Sequence, residues 1–308
     1  MRHTLLGMSE LQTTGRRREV GAELRRIRKE RNWPAYHLAE RLRWTASHIS
    51  RSEAGKRRVT DVDVGHYLGM CGAGDDVLQG LLELVNEPDD FRLQRHLGRI
   101  PDQLRSLIFH ETTATQIRSY QPMYIPGVAQ TADYARAVLQ ANTVFEPSQI
   151  EGRVQIRNAR ADMVLGRSKP AQCTYYIHEA ALRAPIGGPR VMHEQMLHLL
   201  FLGDRVECAI RVVPISAGAR GMVDGSFQIF GYKEDPALVY LQHETTSEFL
   251  ENEEEVASYR RILQRVASVA LDGPQTREFL AQVASEYERQ EEAQHDARVT
   301  GRLAEEQL

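Results

Sequence analysis

The stretch W-P-A-Y-H-L-A-E-R-L-R-W-T-A-S-H-I-S-R-S-E-A-G-K-R-R, Trp33 to Arg58, decides how the first part of this chain folds. Pro34 suits a helix start, where its missing N–H would have no partner anyway. Leu38, Ala39 and Leu42 follow as one apolar stripe, so a short helix runs to about Arg43. Thr45 can cap a second helix with its hydroxyl; that helix continues through Ile49 to Glu53, and Gly55 stands where a helix end wants a left-handed residue. Ile49 is the only strongly apolar residue of the second helix and is expected to plug inward against Leu38 and Leu42. Thr45, Ala46, Ser47, Ser50 and Arg51 are then left facing outward.

Short polar groups beside a long cation make a surface fit to enter a major groove. The order L-A-x-x-L, turn, T-x-S-x-I-S-R-x-E-x-G-x-R resembles the helix-turn-helix of the phage-repressor-like regulators, the xenobiotic-response-element family. The resemblance implies base-edge contacts by Thr45, Ala46, Ser47 and Arg51, phosphate contacts by Lys56, Arg57 and Arg58, and structural roles for Ile49 and Glu53. Two departures are visible: Arg43 and Trp44 stand in the turn where many members have a small residue, and Ala35 replaces the usual polar residue near the start of the first helix. An ordinary helical hairpin with solvated charges is the competing interpretation.

Working outward, Arg16, Arg17 and Arg18 open an earlier helix in which Val20, Leu24 and Ile27 recur at helical spacing through Arg31. A solvated face and phosphate contact both suit these arginines, and Arg18 joins the phosphate candidates. On the other side, Val59 to Cys71 and Asp75 to Val85 carry apolar residues for a fourth and fifth helix. An all-α domain over 16–87 follows, closed by a linker at Pro88, Asp89 and Asp90.

Charge agrees with that division. The formal net charge of -3 conceals a balance of +9 over residues 1–60 and -12 over the remainder. A basic module joined to an acidic one suits a protein that meets nucleic acid at one end. At 308 residues two domains are expected. No apolar run approaches the roughly 20 residues that span a bilayer, and the polar N-terminus argues against a signal peptide, so no membrane association and a cytoplasmic location are expected. Cys71, Cys173 and Cys208 are odd in number and lack C-x-x-C spacing, which favours buried thiols over disulfides.

Beyond the linker, Pro101 to Tyr120 reads as one long helix. Ser119 to Leu139 is an extended, Pro-broken segment that turns at Pro126 and Gly127 into a helix. Pro147 to Gly166 is helical, with Arg153, Arg157 and Arg160 along one face. Arginines so spaced usually pair with acids or solvate a face, although an anion site is also conceivable. From Gln172 the texture changes to short β-branched and aromatic runs: C-T-Y-Y-I-H-E, V-E-C-A-I-R-V-V-P, S-F-Q-I-F-G-Y and A-L-V-Y-L-Q-H-E, with an apolar-faced helix from Pro189 to Leu202 between the first two. The expected fold class is α+β: a five-helix N-terminal domain, then a domain over 91–289 of helices on a small, mainly antiparallel sheet of about four strands. Helices return over Ser247 to Leu271 and Pro274 to Arg289, followed by a charged, frayed tail over 290–308.

From Phe91 onward the chain resembles the uncharacterised sensor-like domain that follows such a helix-turn-helix in many regulators of filamentous, sporulating bacteria. The residues that carry this are E-T-T-A-T-Q-I-R-S-Y-Q-P-M-Y-I-P-G-V-A-Q-T-A-D-Y-A-R-A-V-L from Glu111, Y-I-H-E-A-A-L-R-A-P-I-G-G from Tyr176 and G-S-F-Q-I-F-G-Y from Gly225. Where members often have P-G-L-L-Q-T, Val128 and Ala129 stand here. The resemblance implies a transcription factor, often encoded beside a small acidic partner protein; it implies no ligand.

Enzymatic chemistry finds no support. His193, Glu194 and His198 approach the H-E-x-x-H zinc pattern, but a spacing of five turns the second imidazole off the first one's face, so no metal is expected. His178 and Glu179 adjoin at a strand end and point to opposite faces. No nucleophile elbow, phosphate-binding loop or dinucleotide fingerprint occurs, and no cofactor is expected. Tyr120, Gln121, Tyr124, Gln130 and His178 are the candidates for an effector or partner pocket; the alternative is that residues near the Pro126 bend lock a helix entry onto the core.

The expected function is a sequence-specific, double-stranded-DNA-binding transcription regulator, a homodimer because one small recognition helix reads only a few base pairs. Its rival is a protein-interaction module, antitoxin-like or developmental, whose DNA binding depends on a partner.

Overall fold

The computed structural model describes residues 14–86, 92–96, 100–142, 146–243 and 246–305. Most of the N-terminal arm, the linker at Pro88 to Asp90 and the last three residues of the tail lie outside the described residues. The chain divides into two compact units: the first takes it up to Leu93 together with Glu234–Leu238 and Phe249–Asn252, and the second takes the rest.

The first unit contains five helices: α1 (Gly15–Glu30), α2 (Ala35–Leu42), α3 (Ala46–Glu53), α4 (Asp61–Cys71) and α5 (Asp75–Asn86). Their boundaries follow local chemistry. The Thr14 hydroxyl accepts from the Arg17 N–H, the Thr45 hydroxyl from the His48 N–H, and Thr60 and Asp63 form a reciprocal capping box. Gly55, at φ +69°, ends α3; the Lys56 N–H closes on the Arg51 carbonyl at 2.9 Å and the Gly55 N–H on that of Ser52 at 3.1 Å. The apolar stripes meet in one core of Val20, Leu24, Ile27, Leu38, Ile49 and Leu68 among others, with Leu42 and Trp44 packed on it. Ile49 is fully buried there, as its isolation in α3 predicts.

The second unit shows where extended chain displaces expected helix. The expected helix over 101–120 is two elements: α6 (Ile100–Thr113) and the strand Gln116–Gln121. Thr112, Thr113 and Thr115 are β-branched, and after them Ile117 and Ser119 alternate in burial with exposed Gln116 and Arg118. Including that strand, the sheet has seven strands: β1 (Arg92–His96), β2 (Gln116–Gln121), β3 (Gln172–His178), β4 (Cys208–Val213), β5 (Ser226–Gly231), β6 (Leu238–Gln242) and β7 (Thr246–Leu250), in the order β1-β7-β6-β5-β2-β3-β4. The α+β class holds, but the sheet is larger than expected and half of it is parallel. β2 runs parallel to β3, with Tyr120 opposite Tyr176, and β3 runs parallel to β4, with Cys173 opposite Cys208; β5 joins β2 antiparallel. Parallel pairing needs long crossovers. The chain supplies them: α7 (Ala132–Ala141) and α8 (Ile150–Leu165) between β2 and β3, then α9 (Glu179–Arg183) and α10 (Pro189–Gly203) between β3 and β4.

α11 (Glu253–Ala267) and α12 (Gly273–Glu305) complete the unit, α12 continuing through most of the charged tail. α10 and α12 pack against each other and on β4. β4 ends the strand order, and its outer backbone groups are not left open: the Leu271 N–H donates to the Val212 carbonyl at 2.8 Å, and the Val212 N–H donates to the Thr276 hydroxyl at 3.2 Å. All three cysteines are buried and free. Among the described residues, no helix is long and apolar enough to cross a membrane.

Candidate nucleic-acid interface

The outward face of α3 is made by side chains that the core does not need. Thr45, Ala46, Ser47, Ser50 and Arg51 are exposed, while Ile49, Ser52 and Glu53 are buried. Arg51 lies along its own helix, its Nε 3.4 Å from the Ser47 carbonyl, so the guanidinium is held over the same face as Ser47. His48 stacks flat on Trp44, ring centroids 4.0 Å apart, and burial together with nearby Arg57 and Arg51 holds its imidazole below the ordinary histidine value. The turn of Arg43 and Trp44 therefore has a structural task. Arg43 takes the left-handed conformation, φ 55°, that a glycine usually supplies, and Trp44 becomes the stacking platform.

What holds α3 in place is a buried polar keystone. Arg28 of α1 donates from Nε to Glu53 Oε1 at 2.6 Å and from Nη2 to Oε2 at 2.7 Å, and the Tyr67 hydroxyl of α4 donates to the same Oε1 at 2.6 Å. Arg28 also donates to the Trp33 carbonyl ahead of α2. Glu53 thus ties α3 to the other helices of the hairpin, through charge-assisted bonds that satisfy its carboxylate. The hydrogen bond and the field of Glu53 raise the Arg28 pKa above the ordinary arginine value, so Arg28 remains charged. Close approach requires glycine at position 21: a Cβ there would stand 2.6 Å from the carbonyl oxygens of both Ser52 and Glu53. Glu53 was legible as structural; its partners Arg28 and Tyr67, and Gly21, were not. Their only signal in sequence is a polar residue on an otherwise buried stripe.

Of the phosphate candidates, Lys56, Arg57 and Arg58 are exposed on the connection that leaves α3. Lys56 lies 3.8 Å from Glu234 and Arg57 3.9 Å from Asp63, both longer than hydrogen bonds. Arg18 does not stand with them. It is buried and lies 3.5 Å from Asp235, because helical spacing sets it three residues before Gly21, on the side of α1 that faces α3.

In the second unit, the residues considered for a pocket lie in the fold itself. Tyr120 is fully buried and its hydroxyl donates to the Gly221 carbonyl at 2.8 Å; the Gln121 amide donates to the Ser119 hydroxyl at 3.0 Å. Gln130 donates to the Ile125 carbonyl at 2.7 Å and accepts from Arg157 at 2.6 Å, closing the Pro126 bend on itself. Gln195, fully buried on α10, clamps the same segment by donating to the Ala129 carbonyl at 2.8 Å and accepting from the Thr131 N–H at 2.7 Å. His178 Nδ1 accepts from the Ala180 N–H at 3.2 Å and caps α9. The β2–β3 register brings Gln121 level with Ile177, next to His178, while Tyr124 is exposed beyond the strand end.

The arginine face of α8 turns inward: Arg160 lies 3.0 Å from the buried Glu111, and burial brings Arg157 down to about 10. One ring nitrogen of His193 lies 3.0 Å from the Ala284 carbonyl, and burial lowers His198. No cluster of three or more His, Cys, Asp or Glu side chains suited to a metal ion occurs among the described residues.

The comparisons with known proteins agree with this geometry. Residues 19–81, which span the α2–α3 hairpin and the helices packed on it, match the helix-turn-helix domain, a module of DNA-binding regulators. No curated protein and no solved structure matches the chain. Residues 104–282, more than half of the chain, match the domain of unknown function DUF5753, and the protein belongs to that family, with a helix-turn-helix domain ahead of it.

Proposed function

We propose that the protein is a sequence-specific, double-stranded-DNA-binding transcription regulator of the phage-repressor-like kind. In this view it works as a homodimer, carries out no catalysis, and is controlled through its second unit by a small partner protein or ligand. The observation that supports this best is the division of labour on α3. Every residue that the fold needs points inward to the Arg28–Glu53–Tyr67 keystone, and the exposed remainder is short polar groups with one arginine and a basic tail. Such a helix reads too few bases alone, so a second copy is expected to supply the other half-site. Leu197 and Phe201, exposed one turn apart on α10, offer apolar area for that contact.

The test is selection of bound duplexes from a random pool at physiological salt by the full-length protein, with Arg51→Ala in parallel. Recovery of a palindrome that the variant fails to enrich is the expected result. On the recovered operator, Arg51→Ala should cost about 1–3 kcal/mol and relax base preference, whereas Lys56→Ala should weaken all DNA alike and make the salt dependence shallower by about one. Equal losses of Arg51→Ala on operator and random duplexes would remove its base-reading role. Enrichment by neither protein would favour the partner-dependent interaction module.

A further inference from the structure

Beside the recognition helix, the first unit contains a basic cleft that the sequence did not single out. Arg16 and Arg17, from the first turn of α1, line it together with Arg57 and Arg58, from the connection between α3 and α4. Its volume is about 340 Å³, and Val20 and Val59 are among its apolar walls. Four guanidinium groups around one cleft repel one another, and an anion seated among them converts that repulsion into attraction. Guanidinium forks match phosphate oxygens in geometry, and the amino end of the 16-residue helix α1 adds a positive partial charge on the same side. Two carboxylates are close: Asp63, 3.9 Å from Arg57, and Glu251, which accepts the Gly15 N–H at 2.7 Å. Asp63 is beyond hydrogen-bond reach of Arg57, so an incoming anion breaks no hydrogen bond to take its place.

We infer that this cleft seats a phosphate and that, in the DNA complex, it holds one backbone phosphate flanking the bases met by α3. Arg57 and Arg58 follow Arg51 on one short connection, so a strand leaving the groove at α3 is led directly to the cleft, where Arg16 and Arg17 add two contacts from another helix. The inference rests on the DNA-binding reading for the source of the phosphate; a free phosphorylated molecule would use the same chemistry.

The experiment uses the full-length protein, the Arg16→Ala/Arg17→Ala double variant and the single variant Arg58→Ala, each checked for an unchanged melting temperature. Operator duplexes carry one neutral methylphosphonate at each backbone position in turn. At one flanking position, neutralisation should weaken the native protein several-fold and leave the double variant unaffected, and the salt dependence of the double variant should be shallower by about one. Arg58→Ala should show the same loss of sensitivity at that position. Should the double variant fail to fold, Arg58→Ala carries the test alone. Equal sensitivity of native protein and variants at every position would overturn the proposal. Should the native protein bind no duplex at all, the DNA reading fails separately, and inorganic tripolyphosphate becomes the probe. A melting temperature raised by it in the native protein and not in the variants would retain the phosphate cleft with a free ligand; no rise in either would end it.

Discussion

Each unit of the molecule buries an arginine–glutamate pair against a glycine, and the two pairs behave differently. In the first unit, Arg28 grips Glu53 with two parallel bonds of 2.6 and 2.7 Å, and Tyr67 adds a third. In the second, Arg160 lies 3.0 Å from Glu111, and burial outweighs that attraction and pushes the Glu111 carboxyl above its ordinary value. A buried carboxylate is stable when its lone pairs are filled by a fork and a hydroxyl; with one partner the cost of leaving water dominates. The glycines differ in the same sense. A Cβ on Gly21 would meet rigid backbone carbonyls, whereas one on Gly127 would meet the flexible end of Arg160 at 2.6 Å. The first contact fixes the recognition helix, and the second only fills a space.

The largest expected effect separates the pairs directly. Glu53→Ala leaves Arg28 buried without its acid and should cost about 3–5 kcal/mol in urea unfolding of the full-length protein. Should it cost no more than Glu111→Ala, the contrast between satisfied and unsatisfied pairs collapses. Next, Gly21→Ala should cost about 1–3 kcal/mol through overpacking, and Gly127→Ala distinctly less, since a side chain can move where a backbone cannot. Equal losses in thermal melting would show that the two approaches are equally rigid. The smallest effect is that of Glu111→Gln at neutral pH, about 1 kcal/mol or less, because the burial cost it escapes offsets the lost attraction to Arg160. Its sign with pH is distinctive. The unfolded chain releases this proton near pH 4.5 and the folded chain only above that, so the stability Glu111 contributes is complete at low pH and is lost as pH rises through the raised value. Glu111→Gln should flatten that part of the stability–pH curve. An unchanged curve would mean that Arg160 compensates the carboxylate fully.

The first unit was largely legible because its signals are local. Thr14, Thr45 and Thr60 cap the helices they precede, Gly55 ends α3, and Ile49 goes inward, leaving the expected recognition surface exposed. Failure began where a partner distant in sequence decides. Arg16 to Arg18 read as one basic run, yet the fold buries Arg18 beside Asp235 and places Arg16 and Arg17 on the cleft. Gln116 to Gln121 read as helix because apolar residues at three- and four-residue intervals preceded it; pairing with β3 and β5 on both sides made it a central strand. The parallel half of the sheet had a signal that was passed over, since helical stretches between strands are the crossovers that parallel pairing needs.

Local periodicity, caps and charge distribution were therefore enough to settle the helix-turn-helix, the α+β class and the outward face of α3, all of which depend on interactions within a few residues. Packing between remote segments alone decided the strand order, the partners of Glu53, the inward turn of the α8 arginines and the gathering of four arginines around one cleft. Those contacts join positions tens of residues apart, and their energies come from burial and hydrogen-bond geometry that do not exist until the chain has folded.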